Sequence, residues 1–299
     1  MSTAALPRVP ARLGRFVLRM FRPHVYATYG VLWVFALEGS AAALSGSAWR
    51  PTAATAVRAA SVVLVLLFLR MLDEQKDLAH DRVHHPDRPL VTGAITASEL
   101  RGAMTVITVV VAAMNAALSP AAVLLILLPL AYALVLPAVE AASAAVRERP
   151  LLDLAVTYPV QVLLGGYVCL SAAGPGTLTA GWRAMPLLAL CACVFLHFEF
   201  ARKTAWESAP DDRLYSSVLG PAGSAAVALA LVAGAVVCDV LLFRPTTVVG
   251  LLPCLAALLP AVAARRFLTA RHGRWPLPPA MGYIVVTYLA LVLQAVFPP

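Results

Sequence analysis

Nine apolar runs of membrane-spanning length dominate this 299-residue chain. A helix of roughly 20 apolar residues crosses the hydrocarbon core of a bilayer, because only a backbone that satisfies its own hydrogen bonds is stable there. Such runs fall at about 25–44, 54–72, 96–117, 120–140, 151–172, 183–203, 222–243, 247–264 and 280–297. The break at Leu118-Ser119-Pro120 reads as a tight turn between two spans. Only 13% of the residues are charged, about half the share of a soluble domain. The pattern predicts an all-α, multi-pass integral membrane protein with nine transmembrane helices, one domain over residues 1–299. Ala, Gly and Ser recur through the spans, as close helix packing in lipid requires. No internal repeat and no soluble domain is visible. The basic flank 1–24 carries Arg8, Arg12, Arg15, Arg19 and Arg22 and lacks a cleavable signal pattern.

Nine spans place alternate loops on opposite sides, so charge can be counted by side. The N-terminus and the loops after spans 2, 4, 6 and 8 hold 19 of the 23 Lys and Arg; Arg50, Arg58, Arg183 and Arg244 lie on the other side. By the positive-inside rule the N-terminus is cytoplasmic and the C-terminus is outside. The net charge of +8 then reflects orientation in the membrane, with no nucleic-acid partner implied. Cys169, Cys191, Cys193, Cys238 and Cys254 all lie in apolar runs and read as small buried hydrophobes.

Against this background one polar stretch stands out. Asp73-Glu74-Gln75-Lys76-Asp77-Leu78-Ala79-His80-Asp81 follows the second span directly, and five of the chain's 15 acids lie between Asp73 and Asp87. Carboxylates at the mouth of a membrane helix are costly unless something cationic holds them there. On a continuous helix Asp73, Asp77 and Asp81 are offset by only about 40° and about 6 Å per step, and share one face. Hard oxygen ligands on one face suit magnesium, which keeps several waters and shares its other positions with substrate phosphates. The first reading is a magnesium-assisted diphosphate site at the cytoplasmic membrane boundary.

A second cluster follows the sixth span: Glu199, Arg202, Lys203, Trp206, Glu207, Asp211, Asp212, Arg213 and Tyr215. Glu199, Lys203 and Glu207 repeat every fourth residue, which is a salt-bridge ladder on a solvated helix end or a second metal-and-phosphate cluster. Its placement on the same side as the first motif favours the latter. Lys76, Arg88, Arg147, Arg149, Arg202 and Lys203 are the bases positioned to neutralise a diphosphate. Arg147 and Arg149 serve equally well as ordinary membrane anchors. His84 and His85 read as solvated, and His197 as hydrogen-bonded within the bundle. Tyr132 and Tyr167 read as packing, whereas Tyr158, ahead of Pro159, is placed to line a cavity or to face a carbocation with its ring. Asp153 and the intramembrane acid Glu38 are functional suspects, and Asp239 reads as a solvated boundary residue.

At this point the residues resemble the UbiA superfamily of intramembrane prenyltransferases. That family carries Asn-Asp-x-x-Asp-x-x-x-Asp after its second helix, then a loop ending Asp/Asn-Arg-Pro-Leu. Here the chain reads Asp73-Glu74-x-x-Asp77-x-x-x-Asp81, then Pro86-Asp87-Arg88-Pro89-Leu90-Val91-Thr92-Gly93. That spacing, with Arg22-Pro23-His24 before the first span, is similar to the chlorophyll-synthase-like branch. The resemblance covers the whole chain. It implies a bundle around a central cavity open to the cytoplasmic side, with two acidic motifs that bind Mg2+ and an isoprenyl diphosphate above a tunnel for the prenyl chain. Carried over by position, Asp73, Asp77 and Asp81 are catalytic metal ligands supported by Glu74. Asp73 stands where the family usually has Asn. In the second motif Glu207 and Glu199 take ligand positions, and Lys203 replaces an acid with a direct phosphate contact.

The implied chemistry is ionisation of an allylic C–O bond in an interior that excludes water. The cation then meets a small, commonly aromatic acceptor in a prenyltransferase, or a double bond of its own chain in a UbiA-type terpene cyclase. The motifs are compatible with both, and transfer is the preferred reading. A transporter fits poorly, because transporters hold polar residues near the midplane and usually show repeated halves.

Overall fold

The structure, a computed structural model, describes residues 9–172, 181–207 and 212–297, the side chains of 181–183 excepted. Arg8, Asp211 and the side chain of Arg183 therefore lie outside the described residues. A short helix α1 (Val9–Phe16) continues through a π-helical turn, Val17–Phe21, into α2 (Pro23–Leu44). There follow α3 (Ala53–Lys76), α4 (Leu78–His84), α5 (Ala97–Ala116), α6 (Pro120–Ala142), α7 (Ala144–Glu148), α8 (Pro150–Thr157) and α9 (Pro159–Ala172). The chain ends with α10 (Gly181–Arg202), α11 (Ser216–Phe243), α12 (Val248–Ala256), α13 (Leu258–Ala270) and α14 (Leu277–Val296).

Nine spans of membrane length are present among the described residues, with α8–α9 and α12–α13 each forming one broken span. The breaks follow from proline chemistry. Pro159 and Pro260 cannot donate the backbone bond that would continue each helix. Span starts use proline in the first turn (Pro23, Pro120, Pro150) or capping hydroxyls (Thr52, Thr96, Ser119, Thr247). Within α11, Gly220 sits at φ 72°, ψ 159°, so the continuous transmembrane part starts at Pro221. Only glycine adopts that backbone cheaply.

Five spans close on one another: α2 packs on α3, α3 on α6, α6 on α9, α9 on α10 and α10 on α2. The remaining spans buttress this ring from outside. α2 and α9 also pack on each other across it, and Val34, Leu37, Val62, Val65, Leu164, Leu190 and Val194 are buried in the core of the bundle. Two glycines set the closest approaches: an added Cβ on Gly39 would lie 2.8 Å from Ala295 Cβ, and one on Gly165 would lie 2.8 Å from Leu188 Cδ2.

At the end of the bundle away from the acidic motif, buried polar groups answer one another. Arg58 pairs with Glu38 at 3.0 Å and donates to the Ser171 carbonyl at 2.7 Å, while Thr55 donates to Glu38 at 2.5 Å. Asn115 donates to Ser61 (2.8 Å) and accepts from Tyr167 (2.7 Å). Glu38 is thus a structural clasp between α2 and α3. Tyr167, expected as packing, also carries a buried hydrogen bond. Tyr132 fastens α6 to the end of α8 through the Val156 carbonyl, 2.7 Å away. Asp239 departs from expectation. It is buried rather than solvated, because α12 packs on both α11 and α14, and Cys254 of α12 and Gln294 of α14 reach the carboxylate. The basic flank is also less free than a charge count suggests: Phe16 and Phe21 are buried, and Arg12 pairs with Glu99.

Because Gly39 faces Ala295 with no flexible side chain to yield, Gly39→Val is expected to lower stability by about 2 kcal/mol. A fall in the apparent Tm of purified protein in detergent, with no comparable loss for Gly14→Val, measures this; Gly14 has open space around it.

Candidate active site

The acidic motif straddles a helix break. α3 ends at Lys76, Asp77 adopts φ −86°, ψ 4°, and α4 starts at Leu78. Asp77 N–H still bonds the Asp73 carbonyl and Asp81 N–H the Asp77 carbonyl, both at 2.9 Å. The offset at Asp77 nevertheless corrects the expectation of one shared face. Aspartate side chains compete with the backbone and weaken a helix interior. Asp73 is exposed, Asp77 half-buried and Asp81 buried.

Glu74 and Asp81, expected among the metal ligands, are held by cations of the chain itself. Arg88 Nη1 donates to Asp81 Oδ2 at 2.6 Å and to Glu74 Oε1 at 3.3 Å, and Arg70 also pairs with Glu74. Two carboxylates that are 1–2% exposed would otherwise be untenable. Arg88 reaches them through the turn that ends α4, where the Arg88 N–H bonds the His85 carbonyl at 3.1 Å and the His85 N–H the Asp81 carbonyl at 2.8 Å. The other oxygens, Glu74 Oε2 and Asp81 Oδ1, are buried with no hydrogen-bond partner.

Lys76 reaches across to α6 and pairs with Glu140 at 2.9 Å. Sequence reading missed Glu140, although an acid at the end of a span was itself a signal. Arg147 is exposed and donates weakly to the Glu140 carbonyl (3.5 Å), and Arg149 is exposed at the start of α8. Both occupy anchor positions.

The second cluster forms where α10 ends. Glu199 accepts from Arg202 (2.7 and 2.8 Å) and Tyr215 (3.3 Å), and lies 3.2 Å from Lys203. Tyr215 N–H bonds the Lys203 carbonyl at 2.9 Å, and the Lys203 ammonium lies 4.8 Å from the Tyr215 ring centre. Burial, reinforced by Glu199, pushes the Tyr215 hydroxyl well above the usual phenol range, so it persists as a neutral donor. The fourfold repeat extends no further. α10 stops at Arg202, Ala205 bridges to Arg274, and Glu207 is exposed outside the helix face it was expected to share. Asp153 on α8 lies within electrostatic reach of Tyr215, and Tyr26 on α2 within reach of Arg202. Both clusters therefore belong to one end of the helix ring.

Among the described residues no three His, Cys, Asp or Glu side chains converge to hold a metal. The donor set still suits a hard divalent cation. Among the described residues Asp73 and Asp77 form no ion pair, and the second oxygens of Glu74 and Asp81 have no hydrogen-bond partner. Magnesium needs only one or two protein carboxylates when phosphate completes its shell.

Beneath the clusters, Tyr158 at the α8–α9 break separates two spaces. One is an interior hollow of about 10 Å³, and the other an apolar groove of about 430 Å³ between α8–α9 and α10. His197 is buried and bonds the Ala228 carbonyl at 3.0 Å, as expected of a bundle residue. His84 and His85 are exposed, and His84 stacks on His80.

No family model and no curated protein sequence matches this chain. Its fold does have solved counterparts. A UbiA homolog from Aeropyrum pernix K1, in its apo form, matches with a TM-score of 0.62 at 20% identity, over 91% of this chain and 96% of that one. A digeranylgeranylglyceryl phosphate synthase matches with a TM-score of 0.63 at 13% identity, over 96% of this chain and 99% of that one. The chain has the fold of UbiA homologs along nearly its whole length.

Among the described residues Arg88 is the one side-chain partner of Asp81, and it shares Glu74 with Arg70, so Arg88→Ala is expected to destabilise the protein by about 3–5 kcal/mol. A large drop in apparent Tm, substantially recovered in Arg88→Lys, is the measurement. An Arg149→Ala control should shift it little.

Proposed function

We propose that the chain is a UbiA-superfamily intramembrane prenyltransferase, which ionises an isoprenyl diphosphate and passes the prenyl group to a small, lipid-soluble, aromatic acceptor. The observation that carries this reading is a UbiA-type ring with its carboxylate and cationic clusters gathered at one end, above an apolar interior. The charge skew of the loops supports a cytoplasmic position for that end.

The role of each residue follows from its surroundings. Magnesium would be held by Asp73 and Asp77, with the free oxygens of Asp81 and Glu74 in support, and it supplies charge neutralisation to the departing diphosphate. Lys203 reaches the mouth as a compact charge, steered by Glu199 and Tyr215. Lys76 stands on the opposite wall, tethered to Glu140 but on a flexible stem. Arg202 is bidentate on Glu199 and fixes that carboxylate more than it offers a free fork to phosphate. Arg88 sets the position of Asp81. Below them Tyr158 and Phe195 present aromatic faces, whose ring quadrupole favours a developing cation. The packed aliphatic interior keeps water from that cation until the acceptor meets it.

Purified protein incubated with magnesium and geranyl, farnesyl or geranylgeranyl diphosphate should release pyrophosphate, and Asp77→Asn should lower the rate at least about 100-fold while the apparent Tm holds. Undiminished release in Asp77→Asn would count against the site. Turnover that waits for an added aromatic acceptor supports transfer, whereas an acceptor-free cyclic hydrocarbon would replace it with cyclisation.

Lys203→Ala is expected to raise KM for the prenyl diphosphate about tenfold, corresponding to roughly 1.4 kcal/mol of lost binding. Magnesium affinity, read by Mn2+ electron paramagnetic resonance, should change much less. An unchanged KM would remove Lys203 from the phosphate site.

A further inference from the structure

Most buried polar groups of this bundle are paired, but one place gathers several that are not. Tyr29 Oη, Trp33 Nε1 and Gln161 Oε1 are buried without a hydrogen-bond partner, and all three residues border the interior hollow. Tyr288, whose ring lies beside that of Tyr29, is the near neighbour of the Tyr29 hydroxyl and borders no part of the hollow. An orphaned buried donor or acceptor typically costs about 1–3 kcal/mol, so Trp33 Nε1 and Gln161 Oε1, facing one hollow beside the Tyr29 hydroxyl, are costly unless a ligand answers them. The contrast with Asn115, Ser61 and Tyr167, which satisfy one another in the same helix ring, is direct.

The chemistry of the set is specific. Trp33 Nε1 can only donate, Gln161 Oε1 can only accept, and a tyrosine hydroxyl can donate. A hydroxyl group is their complement, since its oxygen accepts two bonds and its hydrogen donates one. A carbonyl would leave Gln161 Oε1 unanswered, and a hydrocarbon would leave all of them so. The hollow measures about 10 Å³, close to the least that admits one oxygen-sized group. Whatever carries that hydroxyl must keep the rest of its body elsewhere. The adjoining groove supplies the place. It shares Tyr158 and Val162 with the hollow, holds about 430 Å³, and is otherwise walled by apolar residues such as Leu154, Leu163 and Leu196. Its other end, at Leu151 and Leu154, abuts the packing beneath Tyr215 and Phe200.

We infer that hollow and groove together form the binding site of the second substrate: an amphiphile whose hydroxyl docks on Tyr29, Trp33 and Gln161 while its apolar body lies between α8–α9 and α10. Tyr158 stands at the junction and positions the bound molecule against the aromatic wall. This rests on the prenyl-transfer reading. It adds that the acceptor enters from the side of the α8–α9 and α10 spans and is selected by its hydroxyl.

The test compares 4-octylphenol with 4-octylanisole, which has the same body but a methyl group in place of the hydroxyl hydrogen. Binding of each to protein in lipid nanodiscs is measured by equilibrium dialysis, with protein-free nanodiscs subtracted. Farnesyl diphosphate binding in the presence of magnesium is measured on the same wild-type sample. The phenol should bind at least about tenfold more tightly, as expected from two or three hydrogen bonds. Gln161→Leu and Tyr29→Phe should each bring the preference within about threefold while the anisole still binds. Equal affinities in the wild type, or a preference that persists in both variants, would overturn the assignment. Wild type that binds the diphosphate but shows no phenol preference sinks this inference alone. A phenol preference without diphosphate binding would leave the hydroxyl site standing and overturn the prenyl-transfer reading.

Discussion

Inside a ring of membrane helices a charge or a hydrogen-bonding atom has no water to turn to, so each must be met by another group of the chain. That constraint organises the whole molecule. Where it is kept, as at Glu38 with Arg58 or Asn115 with Tyr167, the polar atoms lock neighbouring spans in one register. Where it is broken, at Asp81 Oδ1, Glu74 Oε2 and the atoms around the hollow, the chain is shaped for something it does not itself contain. Other buried polar atoms without a partner, among them Ser40 Oγ, Thr287 Oγ1 and Gln294 Oε1, lie elsewhere in the bundle.

The same constraint explains which candidate residues are poised for chemistry and which are structural. Arg88 looked like a phosphate ligand from its sequence context, yet its guanidinium is already committed to two buried carboxylates. Arg202 is committed to Glu199 in the same way. Arginine favours such fixed, planar pairings, while lysine retains mobility at the end of its stem. The two lysines of the chain, Lys76 at the end of α3 and Lys203 just after α10, pair with Glu140 and Glu199. On the proposed reading they are the cations best able to follow a moving diphosphate.

The helices were legible in the sequence because twenty apolar residues in a row leave the backbone no alternative in lipid. The seventh span, placed at about 222–243, also coincides with the continuous part of α11 after Gly220. The first motif was legible for the same reason its acids are costly. What could not be read was pairing across spans. Glu140 is 64 residues from Lys76, and nothing local to either residue announces the other. The exit of α10 was equally hidden. A fourfold repeat of charges looks the same whether the helix continues or ends, and here it ends because Ala205 pairs with Arg274, far along the chain. Asp239 was misplaced for the same reason: the helix end was read correctly, but its cover, Gln294 on α14 and Cys254 on α12, comes from later in the chain.

The charges at the mouth divide into committed and open ones. Glu74, Asp81, Glu140 and Glu199 each pair with a cation of the chain, whereas among the described residues Asp73 and Asp77 form no ion pair within contact distance. On the prenyl-transfer reading proposed above, two such carboxylates would repel a bare diphosphate and attract a divalent cation, so the metal would bind first or together with the diphosphate.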